Sequence, residues 1–304
     1  MVRRRLRIVG LILLVPLLPS HLSLAKDKRK DPEEIGNRDV GKGINFYSLE
    51  KEITLGKELA KELELQARLL YDPVIGEYIN RLGQSLARHS DVKLPFTIKV
   101  LDSEEVNACA LPGGFLYVNA GLILTAETEA ELAAAMAHEI AHVAARHATR
   151  QATRATIVDY SSLILIFMGG QVGYAAREAV RVAAPIGLAK FSRVFESEAD
   201  SLGLQYVYKT GYDPTAFVDL FERLESLDHR RPGPIMRLVS THPSTRSRCR
   251  SIQKNIRTML RPRPEYVVNT SEFDNMKARL LAIYARRRAS EQGWYRPMLK
   301  VRGR

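Results

Sequence analysis

Residues 128–148 read TEAELAAAMAHEIAHVAARHA, and this stretch decides the fold of the chain. Thr128 followed by Glu131 is the pattern of a capping box, in which the two side chains accept backbone N–H groups at the start of a helix. The alanine-rich residues that follow favour helix and contain neither glycine nor proline. We therefore predict one helix from Thr128 to about Ala148, with two histidines and a glutamate in an apolar setting where unpaired polar groups are costly.

Within this helix, residues 138–142 form the pattern HExxH. His138 and His142 are four residues apart, so they share one helix face with Cβ atoms about 5–6 Å apart. Two imidazoles so placed can bind one tetrahedral zinc ion. Glu139 can reach a water beside the metal without being a ligand, so the pattern is typical of a metallopeptidase with Glu139 as general base. HExxH alone occurs by chance, but here it lies in an apolar, capped helix.

A catalytic zinc ion needs a third protein ligand and one open position. The extended pattern HExxHxxGxxH would require glycine at position 145 and histidine at position 148, and both positions are alanine. His147 is one residue too early, which rotates it by about 100° around a helix. We therefore interpret His147 as a helix-end or surface histidine.

Residues 192–200, SRVFESEAD, offer another third ligand, and we expect them in a helix from about Ala189 to Lys209. Glu196 and Asp200 are four residues apart, so both can face the HExxH helix. Glu196 would then ligate the metal, and Asp200 would accept the N–H of a ligand histidine. Glu198 should point elsewhere. The alternative interpretation is a solvated acidic helix face.

These motifs together resemble the zinc peptidase family that includes HtpX, BepA and the CAAX prenyl endopeptidases. The resemblance covers about residues 45–260, and it includes the segment NACALPGGFLYVNAGLI at residues 107–123 and the His242-Pro243 pair. It implies a gluzincin-like fold, cleavage of polypeptides, and one zinc ion per chain held by His138, His142 and Glu196, with Asp200 supporting a histidine.

The resemblance also implies a role near the metal for His242. This histidine would stabilise the oxyanion of the reaction or occupy the open metal position in a resting state. The alternative is that His242-Pro243 only fixes a turn, since it lies between a β-prone run and a predicted helix that Ser244 caps. Arg246 is expected to support the same region.

The chain departs from two branches of this family. It lacks the many membrane spans of the prenyl endopeptidases, which argues against a CAAX substrate. It also lacks the helical-repeat domain that follows the catalytic domain in BepA-like members, so single-domain envelope members are the best match.

The predicted fold class is α+β, a mostly helical zincin with a small antiparallel sheet beside the HExxH helix. Three short segments between Leu94 and Asn119 are rich in β-branched and aromatic residues and predict the strands. Helices are expected over about 48–70 and from a cap at Asp72 to about His89. An extended substrate would add to an edge strand formed by Gly114, Phe115, Leu116, Tyr117 and Val118.

Differences in composition predict four segments along the chain. Residues 1–25 carry four arginines, an apolar run of 11 residues and Ser-Leu-Ala, which is typical of a secretory signal peptide. An uncleaved anchor is the alternative. Residues 26–47 are predicted to be a flexible leader, 48–260 the metallopeptidase domain, and 261–304 a basic tail.

Charge is uneven along the chain. Of the formal charge of +12, the arginines of residues 1–25 supply four units and residues 261–304 supply seven, so the rest is nearly neutral. A basic tail can touch anionic lipid, which makes peripheral membrane contact a possible partner interaction. Export argues against nucleic acid.

The expected function is a zinc-dependent endopeptidase of the periplasm or cell envelope that cleaves unfolded or misassembled polypeptides, including envelope or outer-membrane proteins. The alternative is a chaperone-like quality-control factor whose metal site is mostly closed. The uncharged residues 160–176 are predicted to form a mobile cover over the zinc cleft, with membrane insertion as the alternative. The sequence leaves open whether Cys109 and Cys249 pair.

Overall fold

The computed structural model describes residues 27–167, 192–230, 242 and 246–294. Two short 3-10 helices, Lys28–Lys30 and Pro32–Glu34, come first. The strands that follow are β1 (Thr97–Leu101), β2 (Ala108–Leu111) and β3 (Phe115–Asn119). The helices are α1 (Leu49–Gln66), α2 (Pro73–Arg88), α3 (Ala120–Thr125), α4 (Glu129–Ala144), α5 (His147–Phe167), α6 (192–210), α7 (Ala216–Arg230), α8 (Arg246–Met259) and α9 (Ser271–Trp294). The predicted mostly helical α+β fold is confirmed.

Helix α4 lies at the centre of the core, and all its residues except His142 and Ala144 are buried. Its alanines allow neighbouring elements to approach closely. One such close approach is at Gly203 of α6, where a Cβ atom would lie 3.1 Å from the backbone of Ala137 and 2.9 Å from Phe217. Glu196 and Asp200 precede Gly203 by seven and three residues, so all three share the face of α6 that meets α4.

The three strands form a mixed sheet in the order β1-β3-β2. Strands β2 and β3 are antiparallel, as predicted, but β1 and β3 are parallel. The difference arises because β2 and β3 form a hairpin, and β1 pairs on the far side of β3 rather than with β2. The hairpin turns at Gly113 and Gly114, whose φ values of 77° and 92° are left-handed and favour glycine.

The prediction that Gly114, Phe115, Leu116, Tyr117 and Val118 form an edge strand is wrong. Residues 115–118 belong to β3, the central strand, and both of its sides are paired. No main-chain edge remains there for a substrate. The edge strand on the side of α4 is β2, and the N–H of its Ala110 donates a hydrogen bond of 3.0 Å to Glu139 Oε2.

The helix starts follow the sequence closely. Ser48 caps α1, Asp72 caps α2 ahead of Pro73, and the Thr128 hydroxyl accepts the N–H of Glu131 at the start of α4. The predicted end at Ala148 is wrong, because α4 stops at Ala144 and a new helix begins at His147.

The break follows from the backbone of Arg146, whose φ of 57° is left-handed. Such a conformation costs a non-glycine residue about 1–3 kcal/mol. Contacts from distant residues offset that cost: Arg146 Nε donates to Glu52 at 2.8 Å, and its Nη2 donates to the carbonyl of Tyr47 at 2.6 Å. The break turns His147 back toward α4.

Residues 27–47 lie against the domain, so the prediction of a flexible leader does not hold for them. Arg38 forms an ion pair of 2.8 Å with Asp91, and both side chains are only 1% exposed. The Arg38 guanidinium also donates to Gln205 at 2.6 Å, and the hydroxyl of Tyr206 donates to Asp91 at 2.8 Å. Composition alone cannot reveal this contact, because the partners lie far away in the sequence.

Replacing Arg38 with methionine is expected to lower the free energy of unfolding by about 3–5 kcal/mol, because it leaves the Asp91 carboxylate buried without its counter-ion. Denaturant unfolding measures the loss. The matched control is Arg29→Met, since Arg29 is about half exposed, pairs with Asp27 and should contribute less than about 1 kcal/mol. Equal losses in the two variants would contradict the structural role given to Arg38.

Helix α9 contributes to the same core, although its sequence lies within the basic segment 261–304. Phe273, Met276, Leu280 and Tyr284 are buried there. Its cations are partly paired, with Arg279 bound to Asp72 and Arg287 to Asp102. In the part of the chain that the structure describes, no helix combines the length and apolar character needed to cross a membrane. Cys109 and Cys249 are free thiols.

Candidate active site

Helices α4 and α6 bring three donor side chains together beside β2. His138 Nε2 lies 3.1 Å from His142 Nε2, and the carboxylate of Glu196 lies 3.3 Å from the first and 3.4 Å from the second. The two histidines meet because they are four residues apart on α4. Glu196 reaches them because α6 approaches α4 so closely at Gly203.

This donor set fits a zinc ion. A tetrahedral ion bound at about 2.0–2.1 Å separates its ligand atoms by about 3.3–3.4 Å. The three distances of 3.1, 3.3 and 3.4 Å are close to that value. Two imidazoles and one carboxylate are also a usual ligand set for catalytic zinc, so His138, His142 and Glu196 could hold the ion with one position left open.

His242 lies on a further side of the same cluster. Its Nδ1 is 2.9 Å and 3.0 Å from the two carboxylate oxygens of Glu196 and 3.4 Å from His138 Nε2. Its Nε2 is 3.5 Å from Glu139 Oε1. The location fits both roles that the family resemblance implies, near the reacting carbonyl or at the fourth metal position. The predicted cap at Ser244 lies outside the described residues.

Glu139 has one anchored and one unanchored carboxylate oxygen. Oε2 accepts the N–H of Ala110 on β2, which fixes the side chain against the sheet edge. Oε1 is buried and has no hydrogen-bond partner within the described residues. A cleft of about 320 Å³ opens beside it, between β2, α4 and α6. The geometry therefore suits Glu139 to accept a proton in this cleft.

Cys109 also lines the cleft, and its thiol is not suited to act as a nucleophile. Burial, and then the negative charge of Glu139, raise the pKa of Cys109 to about 12. Only a thiolate is a strong nucleophile, and at neutral pH this thiol keeps its proton.

Asp200 and Arg248 contact the candidate ligand residues His138 and Glu196. Asp200 Oδ1 lies 3.1 Å from His138 Nδ1, which leaves Nε2 directed at the donor cluster. Arg248 binds Asp200 through two nitrogens at 2.7 and 2.8 Å and lies 3.2 Å from Glu196. It also donates to the backbone carbonyl of His242. The sequence predicts this supporting position for Arg246, which lies two residues away.

These contacts determine the charges of the site. Burial disfavours the charged carboxylates, but His138 and His242 hold the pKa of Glu196 far below its usual range, and Arg248 and His138 lower that of Asp200. Burial also disfavours a charged His138, yet its hydrogen bonds to Asp200 and Glu196 raise its pKa to about 9. A metal ion that binds His138 would therefore have to displace a proton.

His147 is the first residue of α5, which fits the helix-end alternative of the prediction, but it is not a surface residue, since only 3% of it is exposed. Its Nδ1 lies 3.0 Å from His142 Nδ1, and its Nε2 lies 3.1 Å from Glu198. Glu198 faces away from the donor cluster, as predicted, but toward His147 and Arg150. The left-handed Arg146 produces this arrangement, and no local sequence signal points to it.

The contacts of His147 select its tautomer. A carboxylate only accepts hydrogen bonds, so His147 donates through Nε2 and its Nδ1 accepts from His142 Nδ1. His142 Nε2 then presents its lone pair to the metal-binding position. These linked contacts, from Glu198 to His147 and from His147 to His142, thus orient His142, a predicted ligand. Outer hydrogen-bond partners orient metal-binding histidines in the same way.

Replacing His147 with phenylalanine is expected to weaken zinc binding by about 10–100-fold, the usual effect of losing such a partner. The ring can still stack on Phe195, 4.4 Å away between centroids, so the fold should persist. Titration against a zinc chelator measures the affinity. His89→Phe, at a histidine bonded only to the carbonyl of Ser85, is the control. Unchanged affinity in His147→Phe would refute this role.

The cover predicted over 160–176 falls mostly outside the described residues. The backbone of α5 includes its first part, up to Phe167. Residues 168–176 lie outside, as does the beginning of the helix predicted from Ala189. The signal peptide predicted at residues 1–25 also lies outside.

The amino-acid sequence of this chain is similar to the sequences of known peptidases. The profile of peptidase family M48 matches residues 75–256. The beta-barrel assembly-enhancing protease of Escherichia coli strain K12 is 32% identical over 247 residues, which cover 78% of this chain and 50% of that protein. Its Yersinia pestis counterpart is 29% identical over 255 residues, covering 81% and 52%.

A eukaryotic relative matches the same region. The mitochondrial metalloendopeptidase OMA1 of Schizosaccharomyces pombe is 31% identical over 220 residues, covering 69% of this chain and 63% of that protein. The chain spans about half the length of the bacterial relatives it matches. The family profile includes α4, α6 and His242, the elements that build the candidate site. The chain therefore belongs to peptidase family M48.

Proposed function

We propose that this protein is a zinc-dependent endopeptidase of the cell envelope that cleaves unfolded or misassembled polypeptides. The observation that carries the proposal is the convergence of His138, His142 and Glu196 at tetrahedral ligand spacing, beside a Glu139 oxygen without a hydrogen-bond partner among the described residues. These three residues are the proposed ligands of one zinc ion per chain, and Asp200 orients His138.

A zinc ion held by these residues would supply a Lewis acid that polarises the peptide carbonyl and acidifies a water molecule. Glu139 accepts the proton of that water through Oε1, while the N–H of Ala110 keeps its other oxygen fixed. Glu139 then returns the proton to the leaving amine. His242 donates to the oxygen that becomes negative as water adds to the carbonyl.

The edge of β2 is the proposed substrate-binding strand, in place of residues 114–118. Residues Ala108–Leu111 lie at the sheet edge, and Cys109, Ala110 and Leu111 line the cleft beside Glu139. An extended polypeptide that adds to this edge would carry its peptide bonds past the three zinc donors. Unfolded polypeptides expose extended segments along their whole length, which supports them as substrates.

The cellular setting is proposed from the relatives and from the N-terminal sequence. Two relatives are named for β-barrel assembly, which supports outer-membrane or other envelope proteins as substrates. The arginines and apolar run of residues 1–25 support export by a signal peptide, and hence a periplasmic or envelope location.

A chaperone-like factor with a closed site is the second candidate, and the position of His242 favours it. Its Nδ1 lies close enough to Glu196 and His138 to occupy the fourth metal position. Bound there, His242 would exclude the attacking water, and the chain would bind polypeptides without cleaving them.

The test compares one β-barrel protein in two states. The zinc-loaded chain is expected to cleave the barrel protein when the barrel protein is unfolded, after dilution from urea into buffer. It is expected to leave the barrel protein intact when that protein is folded in detergent micelles. Mass spectrometry of the fragments gives the cleavage sites. A zinc chelator should stop cleavage, and added zinc should restore it. Binding of the unfolded barrel without any fragments would favour the closed-site candidate instead.

A further inference from the structure

A basic groove lies on a different face of α6 from the one that carries Glu196 and Asp200. It has a volume of about 910 Å³ and opens between α6, α8, the start of α5 and the segment before α1. Six cationic side chains from these four segments line it: Arg29, Lys30, Lys42, Arg150, Arg193 and Lys254. The mechanism proposed above does not use this groove.

The positive charge of the basic groove is largely uncompensated. Among its lining residues the one carboxylate is Glu198, which already bonds His147 and Arg150. Asp27 pairs with Arg29 from outside. Within the described residues, no carboxylate lies at ion-pair distance from the remaining four cations, which are Lys30, Lys42, Arg193 and Lys254.

Arg150 adds a buried donor to this charge. The residue is only 7% exposed, and its Nε has no hydrogen-bond partner within the described part of the chain. Neutral donors also line the groove, namely the hydroxyls of Ser197 and Ser251 and the amide of Asn255. A buried N–H is normally satisfied by an acceptor, so a ligand that reaches Arg150 from the groove would meet an unused donor.

Phosphate oxygens fit these donors best. Arginine forks bind phosphate through two parallel hydrogen bonds, and lysine binds it as a point charge. One phosphate group carries at most about two negative charges. Four cations without an ion-pair partner among the described residues therefore match two phosphate groups better than one.

We propose that the basic groove binds a ligand with at least two phosphate groups, either a soluble polyphosphate or the headgroup of a diphosphorylated lipid. The ligand joins the segment before α1 to α6 and α8. Because α6 carries Glu196 and Asp200 and α8 carries Arg248, binding stabilises the elements that support the candidate active site. Binding of the phosphate ligand itself requires neither zinc nor peptide cleavage.

The test measures binding to the full chain by calorimetry, with inorganic tripolyphosphate as the probe. The variant Arg193→Glu/Lys254→Glu reverses two exposed groove charges. The matched control Lys57→Glu/Lys61→Glu makes the same change in net charge on the exposed face of α1, away from the groove. We expect saturable binding of one tripolyphosphate per chain, at least tenfold weaker in the groove variant and unchanged in the control.

A second, milder variant guards against misfolding. Lys42→Gln/Arg193→Gln only neutralises two exposed cations, and it should weaken binding by an intermediate factor with an unchanged circular dichroism spectrum. Flotation with phosphatidylcholine vesicles that contain cardiolipin identifies the source of the phosphates. Groove-dependent flotation that tripolyphosphate competes away supports a lipid headgroup, whereas tripolyphosphate binding without flotation supports a soluble ligand.

Three results would overturn the proposal. The first is absence of saturable binding to either probe. The second is an equal loss of tripolyphosphate affinity in the groove variant and the α1 control, because the loss would then follow from the change in net charge alone. The third is binding of an oligoglutamate peptide without binding of tripolyphosphate, which would make the groove a site for acidic polypeptide. None of these readouts depends on peptidase activity, so the proposed function stands or fails separately.

Discussion

Replacing Glu139 with glutamine is expected to lower the rate of peptide cleavage by about 10²–10⁴-fold, the usual contribution of a general base. Glutamine preserves the shape of the side chain and can still accept the N–H of Ala110. It cannot take a proton from water. Because Glu139 is not one of the three proposed ligands, the variant should retain one zinc ion per chain. Peptide cleavage assays and metal analysis of the same preparation measure both quantities.

The matched control is Glu129→Gln, another buried glutamate of α4. Glu129 accepts a hydrogen bond of 2.8 Å from the Tyr212 hydroxyl, and glutamine can accept it equally. It precedes the HExxH segment by more than two helical turns, so cleavage should be nearly unchanged. If Glu139→Gln were folded but free of metal, the assignment of Glu139 as base rather than ligand would be wrong. Full activity would exclude it from the reaction.

Replacing Glu196 with alanine is expected to reduce the zinc content from one ion per chain to nearly none at submicromolar free zinc, with activity falling in parallel. The substitution removes the only proposed ligand that comes from α6. It also removes a neighbour of Arg248 at 3.2 Å and the acceptor of His242 Nδ1 at 2.9 Å. Metal analysis after dialysis against a defined zinc buffer measures the loss.

His242 supplies the most informative comparison for this variant. If Glu196→Ala kept stoichiometric zinc, the third ligand would have to be another residue, and His242 is the nearest candidate. The double variant Glu196→Ala/His242→Ala would then lose the metal, whereas His242→Ala alone would keep it. If His242→Ala alone lost zinc, the ligand set proposed above would be wrong.

The helix starts and the spacing of the site residues could be predicted, because both depend on neighbours a few positions away. Thr128 caps α4 through Glu131, three residues on. His138 and His142 share a face because a helix repeats every 3.6 residues. Glu196 and Asp200 share a helix face for the same reason. The sequence alone therefore predicts that their side chains point in the same direction.

The support around the site could not be predicted, because it joins residues that are distant in the sequence. Arg248 and Asp200 are 48 residues apart, and His147 and Glu198 are 51 apart. The burial of His147 beside His142 could not be predicted, because a continuous helix would carry its side chain away from the metal site. The ion pair of Arg146 with Glu52, 94 residues away, stabilises the break between α4 and α5, and this break turns His147 back toward α4.

The sequence by itself predicted the chemistry proposed for the candidate site, through HExxH, ExxxD and the family that these motifs resemble. It also determined a mostly helical chain with three short strands. Only the tertiary structure decided that β3 is central and β2 is the edge, that residues 27–47 are fastened by Arg38 and Asp91, and that His147 supports His142. The physical reason is range: periodicity and capping act within a few residues, whereas strand order, buried ion pairs and a left-handed Arg146 are stabilised by contacts that form only when the whole chain is folded.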